Sequence, residues 1–428
     1  MNWKPAFVKA FLFFSLMLAT VNATFSQGKL VIVGGGLEAN NKDVFKEMIR
    51  FAGGAEKATF AVIPSASGVA MQSWVYFQKT LISYGIKAEN IHLIKIAMVD
   101  DDSTTDIDES SWRNNGNDEN FAKTVKGCSV VWFTGGDQAR TLATLKNPDG
   151  SNTLVLDAVW NVYNSGGVIG GTSAGAAIMS EVMICGGNSL GALTHGAILT
   201  YPGDDFPEAD GVLVGKGLGF FPVGIVDQHF AQRARIGRLI VTLMMEKEKF
   251  HLGFGIDENT ALIYDSGNKM IQVAGAGGVT IVNVSEASIS YADSLPKIEN
   301  ISLSYLENGD SYEVSGGKII PATGKKPTIG NEYYNIQNPG QTGIFSAYSS
   351  NLKDLMTIDL IDNKGAYSVQ NLSFYNQDSG FLVTLSEAPN SEGFYTDKPD
   401  GADHYTVSNI LMNITPVKVK IMPVETEK

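Results

Sequence analysis

From residue 29 to about 175, short β-branched runs alternate with stretches of helical period, and this alternation restricts the chain more than any other feature. Residues 30–33, 59–63, 91–94 and 129–133 read as strands, and Val168-Ile169 runs into a further one. Between them, 42–51, 72–84, 138–145 and the segment carrying Val155, Val159 and Val162 read as helices, the first capped by Asn41. Strand–helix alternation of this kind predicts an α/β fold with a mostly parallel central sheet covered on both faces. Ligands in such sheets gather at the carboxyl ends of the strands.

The texture changes near residue 260. Segments 260–263, 269–273 and 279–282 read as short strands with Gly-rich turns, 322–340 as a polar linker or long loop, and 381–385 and 417–421 as further strands. At the other end, Lys4 and Lys9 precede an apolar run over 10–21, and Ala23 offers a small residue at a cleavage point. That run is too short for a membrane span, which needs about 20 residues. The expected organisation is a signal peptide over 1–23, an α/β domain over 24–320, a linker or loop over 321–340 and a β-rich extension over 341–428. The mature protein is expected to be secreted or periplasmic, with no membrane span. Export would permit a Cys128–Cys185 disulfide, although both lie in apolar surroundings that equally suit buried thiols. With two cysteines in 428 residues, a disulfide scaffold is excluded; the formal charge of −13 argues against nucleic acid as a partner.

The sharpest local signal is Gly171-Thr-Ser-Ala-Gly175, a G-x-S-x-G match after an apolar strand and before a helix-forming run. A nucleophile elbow requires that context, because a tight strand-to-helix turn projects the serine from the sheet. Acyl transfer also needs two donors for the developing oxyanion. One is the backbone N–H of Ala174; the other is sought in Thr134-Gly-Gly-Asp-Gln138, where Gly136 closes a glycine pair at another strand end.

The serine needs a base. Of five histidines, His92 falls within a strand, His251 lies at a strand's amino end and His404 in the tail. His195 in a loop stays open, while His229 stands near a strand's carboxyl end and so converges with Ser173. An acid to orient the imidazole is offered by Asp257, Glu258 or Asp227, and spacing does not choose among them. A helix expected over 231–246 would carry Arg233, Arg235 and Arg238 in its first turns, against the macrodipole. Three arginines there point to recognition of a substrate carboxylate. Gly34-Gly-Gly36 fails the third glycine of a dinucleotide fingerprint, and no metal-ligand spacing occurs, so neither cofactor nor metal is expected.

Taken together, Thr134-Gly-Gly-Asp-Gln138, Gly171-Thr-Ser-Ala-Gly175, Asp227-Gln-His-Phe-Ala-Gln-Arg-Ala-Arg-Ile-Gly-Arg238 and Gly255-Ile-Asp-Glu258 resemble the cyanophycinases of the peptidase E family of serine peptidases. The resemblance spans residues 29–315. It implies a three-layer sandwich like the class I glutamine amidotransferases, and a triad of Ser173, His229 and Glu258. It further implies a pocket shaped by Gln138, Asp227, Gln228, Arg233, Arg235 and Arg238, and a homodimer. The implied reaction releases β-linked aspartyl-arginine dipeptides from cyanophycin, an arginine-decorated polyaspartate. The residues also admit an aspartyl or isoaspartyl dipeptidase, or an exported binding protein without activity. The segment beyond 321 has no counterpart in that resemblance.

Overall fold

In the computed structural model, which describes residues 28–199, 210–340, 351–397, 403–420 and 422, the first half of the chain forms the alternating pattern. The order is β1 Lys29–Val33, α1 Lys42–Phe51, β2 Phe60–Ile63, α2 Ala70–Ser83, β3 Ile91–Leu93, α3 Glu119–Lys126, β4 Val130–Phe133, α4 Gln138–Leu145, α5 Leu154–Asn164 and β5 Val168–Thr172. These five strands pair in parallel in the order β1-β5-β4-β2-β3. The strand period of two splits β1 between the layers: Leu30 and Ile32 enter one core, Val31 and Val33 the other. The Asn41 side chain accepts from the Val44 N–H, as the capping position requires. The expected signal peptide over 1–23 lies outside the described residues.

The chain continues through α6 Ala174–Ala177, β6 Val182–Gly186, α7 Ser189–His195, β7 Ala197–Leu199 and β8 Val212–Lys216, the three strands forming a small separate sheet. It then forms β9 Ile225–Asp227, α8 Ile236–Met245, β10 Leu252–Ile256, β11 Thr260–Asp265, β12 Met270–Gly275, β13 Gly278–Asn283, β14 Ser288–Ala292, β15 Leu295–Glu307, β16 Ser311–Glu313 and β17 Lys318–Ile320. β11, β12, β16 and β17 extend the first sheet from β1 with antiparallel pairing. The expectation of a mostly parallel sheet is therefore corrected. Tight turns join β11 to β12 and β16 to β17, and such connections return the chain antiparallel, whereas parallel pairing needs a crossover. The fold is α/β with mixed sheets.

The remaining strands are β18 Lys326–Pro327, β19 Ser368–Phe374, β20 Ser379–Ser386, β21 Glu392–Asp397 and β22 Asp403–Lys418, with α9 Leu352–Met356 between β18 and β19. β22 pairs with β15, so the C-terminal strands complete the second sheet, whose other edge is β13-β10-β9. The strand expected over 417–421 instead runs from Asp403 to Lys418. Asn409, at φ 58°, sits where the register to β15 shifts, and this bulge interrupts the period-two pattern that would have revealed the strand. The polar segment after 321 is tied down by Asp310. Its fully buried carboxylate accepts from Lys325 Nζ at 2.9 Å, the Ala322 N–H at 2.8 Å and Thr406 Oγ1 at 2.7 Å. Cys128 and Cys185 are free and buried, so no disulfide joins them; burial pushes their thiols up to about 11 and about 12. No helix of the described residues is long and apolar enough to cross a membrane.

Removing the Lys325 ammonium would leave Asp310 buried without its cation. Lys325→Met should lower unfolding stability by about 3–5 kcal/mol in a denaturant titration. A loss below about 1 kcal/mol would show that the extension is fastened elsewhere.

Candidate active site

Ser173 follows β5 directly and opens α6. Its backbone stands at φ 55° and ψ −111°, a conformation that disfavours any residue with a Cβ. The flanking glycines are required by close approach. A Cβ at Gly171 would meet the Gly175 carbonyl at 2.5 Å, and one at Gly175 would meet the Phe133 carbonyl at 2.5 Å. The strand end and helix start can then lie in contact, which leaves the serine side chain projecting. Ala174 is the first residue of α6, where an α-helix leaves the N–H without an intrahelical partner. Gly136, at the mouth of the same cavity, lies on the turn between β4 and α4.

His229 arrives from the second sheet, two residues beyond β9. Its N–H donates to the Gly34 carbonyl at 2.6 Å, at the carboxyl end of β1. Gly35, at φ 112°, packs under the imidazole so closely that a Cβ there would lie 2.2 Å from the ring. His229 Nε2 is 2.8 Å from Ser173 Oγ, and Nδ1 is 2.5 Å from Glu258 Oε1. An ionised carboxylate only accepts, so the proton sits on Nδ1 and Nε2 accepts from the serine hydroxyl. Glu258 lies in the turn by which the chain leaves β10 and enters β11. Its N–H donates to Gln232 Oε1 at 3.0 Å, and the next residue, Asn259, donates to the Gly35 carbonyl at 2.7 Å.

The geometry thus selects Glu258 among the three acids. Asp257 points the other way and accepts from the backbone N–H groups of Ala231 and Gly278, at 3.0 and 3.1 Å. Asp227 is 1% exposed and binds Arg238 through both oxygens, at 2.5 and 2.8 Å. The resemblance counts Asp227 among the residues that shape the pocket, but its carboxylate is already occupied by Arg238 and it does not itself line the cavity. The helix expected from 231 begins only at Ile236, because His229 and Ala234 take positive φ and residues 231–235 form turns. Arg233 and Arg235 therefore precede the helix rather than oppose its dipole. Arg235 donates to the Gln228 carbonyl at 2.6 Å and lies 3.7 Å from Asp227; burial, with Arg238 nearby, lowers it to about 10, so it stays charged at neutral pH. The backbone N–H of exposed Arg233 donates to the His229 carbonyl at 3.1 Å, and its guanidinium forms no hydrogen bond or ion pair among the described residues.

These groups surround a cavity of about 570 Å³ that includes Gly136, Gln138, Ser173, Gln228, His229 and Arg233. Gln138 is anchored, donating from Nε2 to the carbonyls of Ile184 and Cys185 at 3.1 and 2.7 Å. Gln228 is 6% exposed, and its Oε1 has no partner among the described residues. A larger cavity of about 710 Å³ lies between residues 113–117 and 142–153 and contains no nucleophile paired with a base. His195 hydrogen-bonds Thr194 and the Asp210 carbonyl instead of Ser173. No group of three or more His, Cys, Asp or Glu among the described residues is arranged for a metal ion. Sequence reasoning weighed Gly34-Gly-Gly36 only as a failed dinucleotide fingerprint and gave Gln232 and Asn259 no role. The triple glycine after β1 was the available signal, with a cradle for the imidazole as its cause.

Burial lowers the His229 pKa from its ordinary value, opposed by the hydrogen bond to Glu258 and reinforced by the Arg233 charge. The neutral ring is favoured at pH 7. Side-chain nitrogen NMR should find His229 titrating below pH 6.5, and Arg233→Gln should move that titration upward. An unchanged titration would mean that Arg233 does not act on the ring.

The model of Peptidase family S51 matches residues 30–272. A cyanophycinase of Nostoc sp. (strain PCC 7120 / SAG 25.82 / UTEX 2576) is 30% identical over 314 residues, covering 72% of this chain and 92% of its own. That of Geminocystis herdmanii (strain PCC 6308) is 31% identical over 290 residues, covering 66% and 92%. Among solved structures, a peptidase from an acI-B1 Actinobacterium aligns over 68% of this chain and 98% of its own, at 20% identity and a TM-score of 0.45. The match over residues 30–272 encloses the serine elbow, the histidine and the acid alike, and the chain belongs to peptidase family S51, a family of serine peptidases.

Proposed function

We propose that this peptidase hydrolyses cyanophycin, releasing β-Asp-Arg dipeptides, with Ser173 as nucleophile, His229 as base and Glu258 as orienter. The observation that carries the reading is the continuous hydrogen-bonded path from Ser173 Oγ through His229 to Glu258, in a cavity rimmed by arginines. His229 Nε2 takes the Ser173 proton as Oγ attacks the carbonyl of an aspartyl residue. The N–H groups of Ala174 and Gly136 receive the oxyanion. His229 then protonates the leaving amine, and water, deprotonated by the same imidazole, releases the acyl group.

Every unit of the polymer bears a carboxylate and a guanidinium. Arg233 faces the cavity without an internal acid and binds the carboxylate; the unpartnered Gln228 Oε1 accepts from a substrate donor. Arg238 and Asp227 neutralise each other and hold the cavity wall. The positive n-region and short apolar run before Ala23 support export, so the polymer is met outside the cytoplasm. The relatives' printed activity supports the substrate class.

Incubation with insoluble cyanophycin should release dipeptide for the wild type and none for Ser173→Ala with an unchanged circular dichroism spectrum. Glu258→Gln should lower kcat by about three orders of magnitude, through loss of the tautomer-fixing acceptor. Dipeptide release by Ser173→Ala would sink the triad. Cleavage of Asp-Xaa dipeptides in place of the polymer would instead make the enzyme an aspartyl dipeptidase. Cell fractionation should recover the processed chain outside the cytoplasm; an uncleaved cytoplasmic chain would refute export.

A further inference from the structure

A second concave site lies beyond residue 272, where the family match ends. Tyr333, Tyr334, Tyr395 and Tyr405 wall a cavity of about 360 Å³ together with Asp362, Asp397 and Asp403. It is assembled from three places: the turns after β18, the turn at Asp362, and the facing ends of β21 and β22. The rings are held in pairs. Tyr333 and Tyr334 meet edge to face with centroids 5.1 Å apart, and Tyr395 and Tyr405 tilt against each other at 5.4 Å.

Three of the phenols donate to carboxylates that line the same cavity. Asp362, 2% exposed, accepts from Tyr405 OH at 2.9 Å and from the Tyr333 N–H at 2.8 Å. Asp403 accepts from Tyr334 OH at 3.3 Å, and Asp397 accepts from Tyr395 OH. None of the described ion pairs takes up any of these three acids. The Tyr334 phenol is pushed up to about 12 by burial and by Asp403, as expected where negative potential accumulates. Tyr333, at the rim, is 78% exposed, an unusual place for a large ring without a ligand.

Aromatic faces carry negative quadrupole density, and the carboxylates beside them add charge, so such a cavity selects an organic cation. The acids are not arranged for a metal ion, and tyrosine faces suit a planar, weakly hydrated group. We propose that this cavity binds the guanidinium of an arginyl side chain and holds an arginine-bearing polymer on the enzyme while Ser173 acts elsewhere. The guanidinium chemistry stands on the cage itself; the polymer as its carrier rests on the cyanophycin reading above.

The test uses the full chain as Ser173→Ala, titrated with a fluorophore-labelled oligoarginine peptide. Tyr333→Ala, which leaves the net charge unchanged, should weaken binding about fivefold, whereas Tyr333→Phe should retain it. The pair Asp397→Asn and Asp403→Asn should weaken it about tenfold. The charge-matched pair Asp102→Asn and Asp106→Asn, on a distant acidic loop, should not. Wild-type affinity in Tyr333→Ala, or equal loss from both acidic pairs, would overturn the site and leave only attraction between a basic peptide and an acidic protein. A parallel arm follows polymer hydrolysis in chains that retain Ser173. If the wild type does not hydrolyse cyanophycin, the substrate reading fails, and the oligoarginine titration still decides the cage. If it does, the Tyr333→Ala chain should digest insoluble polymer more slowly.

Discussion

The site depends on a corner between two sheets. Ser173 stands directly after β5 of the first sheet, and His229 two residues beyond β9 of the second. The chain passes from one sheet to the other over residues 257–259, between β10 and β11, and Glu258 lies within that passage. Two short backbone hydrogen bonds close the corner, from His229 to Gly34 and from Asn259 to Gly35. Both acceptors belong to the loop after β1, which neighbours β5 on one side and β11 on the other. The imidazole is thus held by backbone on one side and by two side chains on its nitrogens. Close approach at Gly35 makes this possible, because any side chain there would displace the ring.

The same corner organises the charges. A turn rather than a helix follows His229, so Arg233 and Arg235 extend along the cavity wall. Arg238, inside α8, is consumed by Asp227. A buried ion pair of this type leaves little charge for a ligand and acts chiefly to fix geometry. The exposed positive charge at the cavity is therefore that of Arg233, which adds to burial in favouring the neutral imidazole. A substrate carboxylate bound there would offset that effect, which couples binding to the state of the base.

Much of this was legible in residue order. The strands and helices read up to residue 175 fall within a few positions of their hydrophobic periods, since each buries both faces of a strand or one stripe of a helix, whereas α3 Glu119–Lys126 went unread. The elbow was legible because few sequences combine an apolar strand, G-x-S-x-G and a helix-forming run. The turn over 231–235 was not, because its residues keep helical spacing and only the positive φ of His229 and Ala234 breaks the helix. Asp257 and Glu258 could not be separated either. Adjacent side chains differ only in direction, and the path of the corner sets that direction. The long strand β22 was hidden by the bulge at Asn409.

Residue order alone determined the α/β class, the serine on its strained turn and the small set of histidines and acids able to serve it, because these follow from local period, turn sterics and side-chain chemistry. Tertiary structure decided which acid meets His229, which arginine remains open, and that strands from the distant C-terminal segment complete the second sheet and bring four tyrosines round three carboxylates. Those outcomes depend on contacts between segments far apart in the chain, and local pattern does not encode them.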